Sequence, residues 1–304
     1  MAVVDDKSEH CVRFLLEQLQ ERKKKHGEGA PPFFLGLNGV QGAGKTTLVS
    51  GLKSHLSSEP YNFNLAVLSL DDFYLKRSDQ ESLASAHPDN PLVQHRGQPS
   101  THDVELLNRT LQALLRREET KLPSFDKSLH AGAGDRADPI TWATVNAPGE
   151  RPVDVILLEG WCVGFQAMTD IALEEKWRAA KDSEERGIGT SQLGKLKLSD
   201  VQFINDALRE YEGVWRMFDA IIHIDAAETV WVYDWRREAE DEMRKAKGPQ
   251  NAMTDEQVKK FVDAYYPAYE LYTEALRKGV VGETGKQLRL IVGKDRRVEK
   301  MVLI

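Results

Sequence analysis

The sequence predicts an α/β fold, a parallel sheet with helices packed on its faces. Three observations carry this. Short apolar runs recur along the chain and alternate with stretches of helical periodicity, the pattern that builds parallel sheets. The run Phe33-Phe34-Leu35-Gly36-Leu37 leads into Gly39-Val40-Gln41-Gly42-Ala43-Gly44-Lys45-Thr46, and Leu48 and Leu52 follow at helical spacing. Two further runs end in acids, Asp71-Asp72 and Glu159, and ligands of open α/β sheets gather at such strand ends.

The elements follow in order. Cys11, Phe14, Leu15 and Leu19 keep helical spacing, so residues 8–26 form an amphipathic helix. Arg22-Lys23-Lys24-Lys25 solvates its end, where cations face the negative pole of the helix. Gly27–Pro32 is a linker, and the strand at 33–37 opens the sheet. Residues 64–70 form a second strand. Residues 76–103, polar and rich in Pro, Asp and His, read as a long functional loop. A helix runs near 103–117, and 121–150, with Gly132, Gly134, Pro139 and Pro148, are irregular. Residues 153–160 form a third, buried strand. Residues 166–213 are helical, interrupted by the polar stretch Asp182–Asp200. A fourth strand spans 220–225, helices lie near 227–246 and 254–278, and Leu288–Val292 is the fifth strand. No internal repeat is present.

The glycine-rich segment matches G-x-x-x-x-G-K-[ST], the phosphate-binding P-loop, in the strand–loop–helix context the motif requires. A chance match in a chain of this size is on the order of 1 %. The expected architecture is therefore a three-layer P-loop NTPase fold with a helical lid. Glycines let the backbone wrap phosphates, so that amides and the helix N-terminus face negative charge. Gly39, Gln41, Gly42, Ala43, Gly44, Lys45, Thr46 and Thr47 are the expected nucleotide site. Lys45 reaches the β- and γ-phosphates of ATP, and the Thr46 hydroxyl takes Mg²⁺.

A phosphoryl-accepting hydroxyl needs a carboxylate for its proton, and Mg²⁺ needs another acid nearby. Asp71 is the candidate base and Glu159 the acid near the metal. Asp72 and Tyr74, which adjoin the base, are expected to bind the acceptor, together with Arg96, His102, Lys127 and Arg136, which offer cations and donors. Asp103 is equally a helix cap. Arg236 and Arg237 sit in a charged stretch that reads as a lid folding over phosphates. The tyrosines at 265, 266, 269 and 272 read as helix packing, and His223 as a core histidine.

The 304 residues, 41% hydrophobic with formal net charge -7, allow a substantial core. No basic block points to nucleic acid. Cys11 and Cys162 are the only cysteines, so no disulfide framework is expected. The N-terminal Met1–Asp6 has neither basic nor apolar signal character, and no run reaches membrane-spanning length. The expectation is a cytoplasmic protein with a small-molecule partner and neither a nucleic-acid nor a membrane one.

Taken together, Gly39–Thr46, Leu70-Asp71-Asp72-Phe73-Tyr74, Arg96-Gly97 with Thr101-His102-Asp103, Phe125-Asp126-Lys127-Ser128, Gly134-Asp135-Arg136 and Leu158-Glu159-Gly160-Trp161 resemble the P-loop D-glycerate 3-kinases of plants and their fungal relatives. These belong with the uridine kinase, phosphoribulokinase and pantothenate kinase superfamily. The resemblance covers about 32–294. It implies one kinase domain over 1–304: an N-terminal helix and linker to 30, an acceptor-side insertion at 76–150 and a lid at 227–260. It implies Mg-ATP as donor, Asp71 as catalytic carboxylate, Glu159 as second acid, Arg236 or Arg237 as lid arginine, and D-glycerate as acceptor. Phe125 stands where that family leads us to expect tyrosine. Other hydroxylated acceptors, such as a nucleoside, pantothenate or a sugar, and a non-catalytic ATP-binding role, are the alternatives.

Overall fold

The computed structural model describes residues 5–27, 29–188, 191–248, 250 and 252–304. Met1–Val4 of the N-terminus, Glu28 of the expected linker, Gly189 and Thr190 of the polar stretch, and Pro249 and Asn251 of the expected lid lie outside them. Helices and strands follow in the order α1 (Ser8–His26), β1 (Phe33–Gly39), α2 (Lys45–Leu56), β2 (Leu65–Ser69), α3 (Arg77–Ala86) and α4 (Val104–Leu115). The chain continues with β3 (Thr120–Leu122), β4 (Phe125–Asp126), β5 (Asp135–Arg136), β6 (Ala143–Val145) and β7 (Val155–Gly160). It closes with α5 (Asp170–Glu185), α6 (Leu198–Arg209), α7 (Glu212–Trp215), β8 (Ala220–Ala226), α8 (Val232–Lys247), α9 (Asp255–Lys278), β9 (Gln287–Val292) and β10 (Val298–Leu303).

A six-stranded sheet in the order β10-β9-β8-β1-β7-β2 forms the centre. Its five inner pairings are parallel except β10 on β9, which is antiparallel. β1 and β8 are buried along their whole length. Burial on both faces explains why they read as continuous apolar runs rather than alternating ones. Each fully buried aliphatic side chain in them, such as Leu35 or Ile222, contributes roughly 1.5–3 kcal/mol. Registers Leu37↔Glu159 and Ser69↔Glu159 bring the carboxyl ends of β1, β7 and β2 side by side. β1 has β7 on one side and β8 on the other, so the loop that leaves it opens at the centre of the sheet's edge.

Charge also holds this core. Asp225 of β8 is buried and accepts from Arg277 of α9 at 2.8 Å and from Arg289 of β9 at 2.5 Å. Burial alone would raise its carboxyl, but the two guanidiniums outweigh this and hold it below the usual range. α1 buries Cys11, Phe14 and Leu15 in the same core as Leu48 and Leu52 of α2. The N-terminal helix is thus part of the fold rather than an appendage.

The structure corrects three expectations. The loop expected at 76–103 contains α3, which buries none of its residues and so has no apolar periodicity to betray it. The irregular segment 121–150 holds two small antiparallel ladders, β3 on β6 and β4 on β5. The C-terminal β10 was not foreseen: it is an edge strand with mostly exposed positions, paired on one side only, which reads as a tail.

Candidate active site

Gly44 takes a left-handed conformation, φ 99° and ψ 19°, directly before Lys45 begins α2. Only glycine adopts this without strain, and it turns the preceding amides toward the helix N-terminus. The Lys45 ammonium donates to the Gly39 carbonyl at 2.7 Å. Enclosure lowers the proton affinity of that amine, while Glu159 and Asp71 pull it back up. Thr46 is exposed beside it, and Thr47 is half-buried. The Gln41 N–H donates to the Tyr269 hydroxyl at 3.4 Å, and the Ala43 N–H to the Val40 carbonyl at 3.2 Å.

β2 ends in a 3-10 turn, Leu70–Phe73, that carries both aspartates. They have different duties. Asp71 accepts from Tyr74 Oη at 3.0 Å and from Lys127 Nζ at 2.5 Å. Burial pushes its carboxyl up, but the Lys127 ammonium above all, with the bond from Tyr74, holds it below the usual carboxylate range. Asp72 accepts the Phe125 N–H at 3.1 Å, and burial raises it. It pins β4 to the turn and so brings Lys127 to Asp71. Glu159 is half-buried between the ends of β1 and β2.

The acceptor-side residues gather around this pair. Tyr74 stacks on His102 at 4.6 Å, with Phe125 edge-on at 5.4 Å. His102 Nδ1 bonds the Tyr211 hydroxyl at 2.7 Å, and its Nε2 is buried with no partner among the described residues. Arg96 lies over the Phe125 ring at 5.4 Å and donates to the carbonyls of Gly132 and Ala133. Arg136 is committed to structure: it donates to the Tyr74 carbonyl and to Asp103, each at 3.0 Å. Asp103 also caps α4 through the Leu106 N–H at 2.8 Å.

Two polar groups organise these loops; sequence reasoning missed Asn38 and met Trp161 only as part of a motif. Asn38, buried in β1, donates to the carbonyls of Trp161 and Val163 at 3.1 and 2.7 Å. Its signal was a polar side chain inside an apolar strand. Trp161 donates from its indole to the Gly97 carbonyl at 3.2 Å. Gly97, at φ 147°, lies so close under the Tyr265 ring that a Cβ would collide with it. Tyr265 and Tyr269 do pack as helix residues, and they also press on the acceptor loop and the phosphate loop.

The lid arginines are engaged within their hairpin. Arg236 pairs with buried Glu240 and lies over Phe261 at 4.7 Å. Arg237 pairs with Asp234 at 3.2 Å. The arginine bonded to the phosphate loop is Arg296, whose Nε donates to the Gly42 carbonyl at 2.7 Å.

Among the described residues no cluster of three or more His, Cys, Asp or Glu side chains could hold a metal by itself. Mg²⁺ at phosphoryl-transfer sites takes one or two protein oxygens together with substrate phosphates. The exposed Thr46 hydroxyl and the Glu159 carboxylate match that donor set.

Burial pushes both His102 and His223 down to about 4. The unfolded chain takes up protons below about 6.5, whereas these imidazoles stay neutral in the fold. Stability is therefore expected to fall as pH drops from 7 to 5, by about 1–2 kcal/mol per histidine. Urea midpoints across that range check this, and His223→Asn should remove about half of the slope.

The arrangement is a loop for phosphates, a carboxylate held ionised beside it, and a cationic rim. No protein-family model matches the chain. A solved structure of D-glycerate 3-kinase from Cryptococcus neoformans var. grubii superposes with a TM-score of 0.88 at 33% identity, covering 99% of this chain and 100% of that one. The chain belongs to the P-loop D-glycerate 3-kinase family. Two further proteins are similar along most of this chain. An "uncharacterized kinase" of Schizosaccharomyces pombe is 34% identical over 274 residues, 90% of this chain and 91% of the relative. The chloroplastic D-glycerate 3-kinase of Arabidopsis thaliana is 35% identical over 263 residues, and the match spans 51% of that longer protein. Among the described residues no helix is long and apolar enough to cross a membrane.

Proposed function

We propose that the chain transfers the γ-phosphoryl group of ATP to the 3-hydroxyl of D-glycerate, giving 3-phosphoglycerate and ADP. One observation carries the reading. Asp71 sits at the strand end beside the phosphate loop, ionised and hydrogen-bonded, with the Lys127 ammonium 2.5 Å away. A base and a cation for a carboxylate thus stand together, and glycerate offers both a hydroxyl and a carboxylate. The relatives named D-glycerate 3-kinase support the choice of acceptor.

In this mechanism Lys45 and the loop amides hold the phosphates, and Thr46 with Glu159 would hold Mg²⁺, which neutralises phosphate charge when bound. The acceptor's carboxylate offers Lys127, more than half exposed, a second partner, with Arg96 at the rim. That exchange frees Asp71 for the hydroxyl. As the hydroxyl oxygen bonds to phosphorus and the bond to the ADP oxygen breaks, its proton passes to Asp71. Tyr74 and His102 keep the carboxylate oriented. The protein contributes mainly positioning and charge neutralisation. We take 1–304 as one kinase domain, with 227–260 closing over the site to exclude water. A reducing compartment such as the cytoplasm suits its two buried free cysteines.

The test is ADP release from Mg-ATP with D-glycerate, L-glycerate, uridine, pantothenate and ribulose 5-phosphate as acceptors. Stimulation by D-glycerate alone is the expected result. Stimulation by another member of the panel, or by none, would overturn the acceptor assignment.

A further inference from the structure

The turn between β9 and β10 reaches back to the phosphate loop through one side chain. Arg296 sits in it at φ 66°, an unfavourable conformation for a residue with a Cβ. The turn is closed by Arg296 N–H to the Gly293 carbonyl and Gly293 N–H to the Arg297 carbonyl, each at 2.9 Å. The guanidinium is buried. Its Nε donates to the Gly42 carbonyl at 2.7 Å, and its Nη1 pairs with Glu238 of α8 at 2.8 Å. It lies 5.3 Å from the centre of the Trp235 ring. Trp235 itself presses on the loop, since a Cβ on Gly42 would stand 2.5 Å from its Cβ. Behind the arginine, buried Lys7 donates to the Arg296 carbonyl at 2.5 Å and to Asp6 at 3.0 Å. Asp6 in turn accepts the Val298 N–H at 2.8 Å. The N-terminal segment thus clamps the turn, and the turn clamps the loop.

A trans peptide points its C=O and N–H to opposite sides. Arg296 holds the Gly42 carbonyl at 2.7 Å, while the Ala43 N–H on the opposite side of the same peptide donates to the Val40 carbonyl at 3.2 Å. A loop peptide fixed from both sides keeps one shape for an arriving phosphate. Without Arg296 only the longer Val40 contact remains, and a peptide that follows glycine rotates more freely and can turn an oxygen toward the anion.

The geometry points to Arg296 as a positioning residue for nucleotide binding, which fixes the Gly42–Ala43 peptide and ties the phosphate loop to α8 through Glu238. The assignment rests on the reading of this loop as the ATP site.

Calorimetric titration of ATP, ADP and AMP into the wild type, Arg296→Ala, Arg296→Lys and Glu238→Gln tests it, alongside the acceptor KM and melting temperatures. Arg296→Ala should weaken ATP and ADP about tenfold, the loss of one charge-assisted hydrogen bond. AMP, which has no β-phosphate, and the acceptor KM should change less than about twofold. Arg296→Lys should recover part of the loss, because lysine keeps the charge without the planar fork. Glu238→Gln should show a smaller loss of the same kind. Unchanged ADP affinity in a folded Arg296 variant would overturn the assignment. So would a uniform fall in nucleotide affinity, acceptor affinity and melting temperature across all three variants, the mark of a purely structural role. A wild-type protein that binds neither ADP nor ATP would overturn the nucleotide reading and this assignment with it.

Discussion

Replacing Lys45 by alanine is expected to lower kcat by roughly 10²–10³, the cost of losing one preorganised charge at a transferring phosphoryl group. The ammonium now rests on the Gly39 carbonyl at 2.7 Å, a contact within its own loop that phosphate oxygens would replace. Enclosure lowers its proton affinity, and the fields of Glu159 and Asp71 offset part of that cost. The substitution removes no core packing, since the buried residues of α2 are Leu48, Leu52 and Leu56. Circular dichroism and the melting temperature should therefore stay close to wild type while acceptor-dependent ADP release collapses. Turnover within a few-fold of wild type would show that the loop does not serve catalysis.

Asp71→Asn is expected to lower kcat by roughly 10²–10⁴, the range of a positioned general base, with the KM for ATP little changed. Asparagine keeps the shape and can still accept from Tyr74, which donates to Asp71 at 3.0 Å. It cannot accept a proton from the hydroxyl, and it no longer counters Lys127. A large loss of ATP affinity instead would make Asp71 a metal or structural residue. The pH profile supplies a second check. With its carboxyl held below the usual carboxylate range, Asp71 is ionised throughout the neutral and mildly acid range. Its contribution to activity should disappear only at pH values below those at which an ordinary aspartate takes up its proton. An acid limb seen near pH 6 in the wild type and retained in Asp71→Asn would belong to another group.

Much of this site was legible because its chemistry is local. The phosphate loop needs consecutive residues with glycine's freedom, and Gly44 at φ 99° before Lys45 is that local requirement met. The acids Asp71 and Glu159 stand at the ends of apolar runs, and such runs become buried parallel strands whose ends share one edge. What escaped was what lacks a local signature. α3 has no apolar face, and β10 pairs on one side only. Lys127 and Asp71 are 56 residues apart, and the 2.5 Å contact between them depends on Asp72 pinning β4 through the Phe125 N–H. Arg136, grouped by its motif with the acceptor-side cations, is spent on Asp103 and Tyr74.

By itself, the sequence determined the α/β class, the phosphate loop and the identities of the candidate base and second acid, because periodicity and backbone freedom act over a few residues. Only the tertiary structure decided which charges meet. It set Lys127 rather than Arg136 against Asp71, and brought Arg296 across 254 residues to the carbonyl of Gly42. Such contacts arise from the packing of distant elements, and burial then selects among the many surface charges the few that must find a partner.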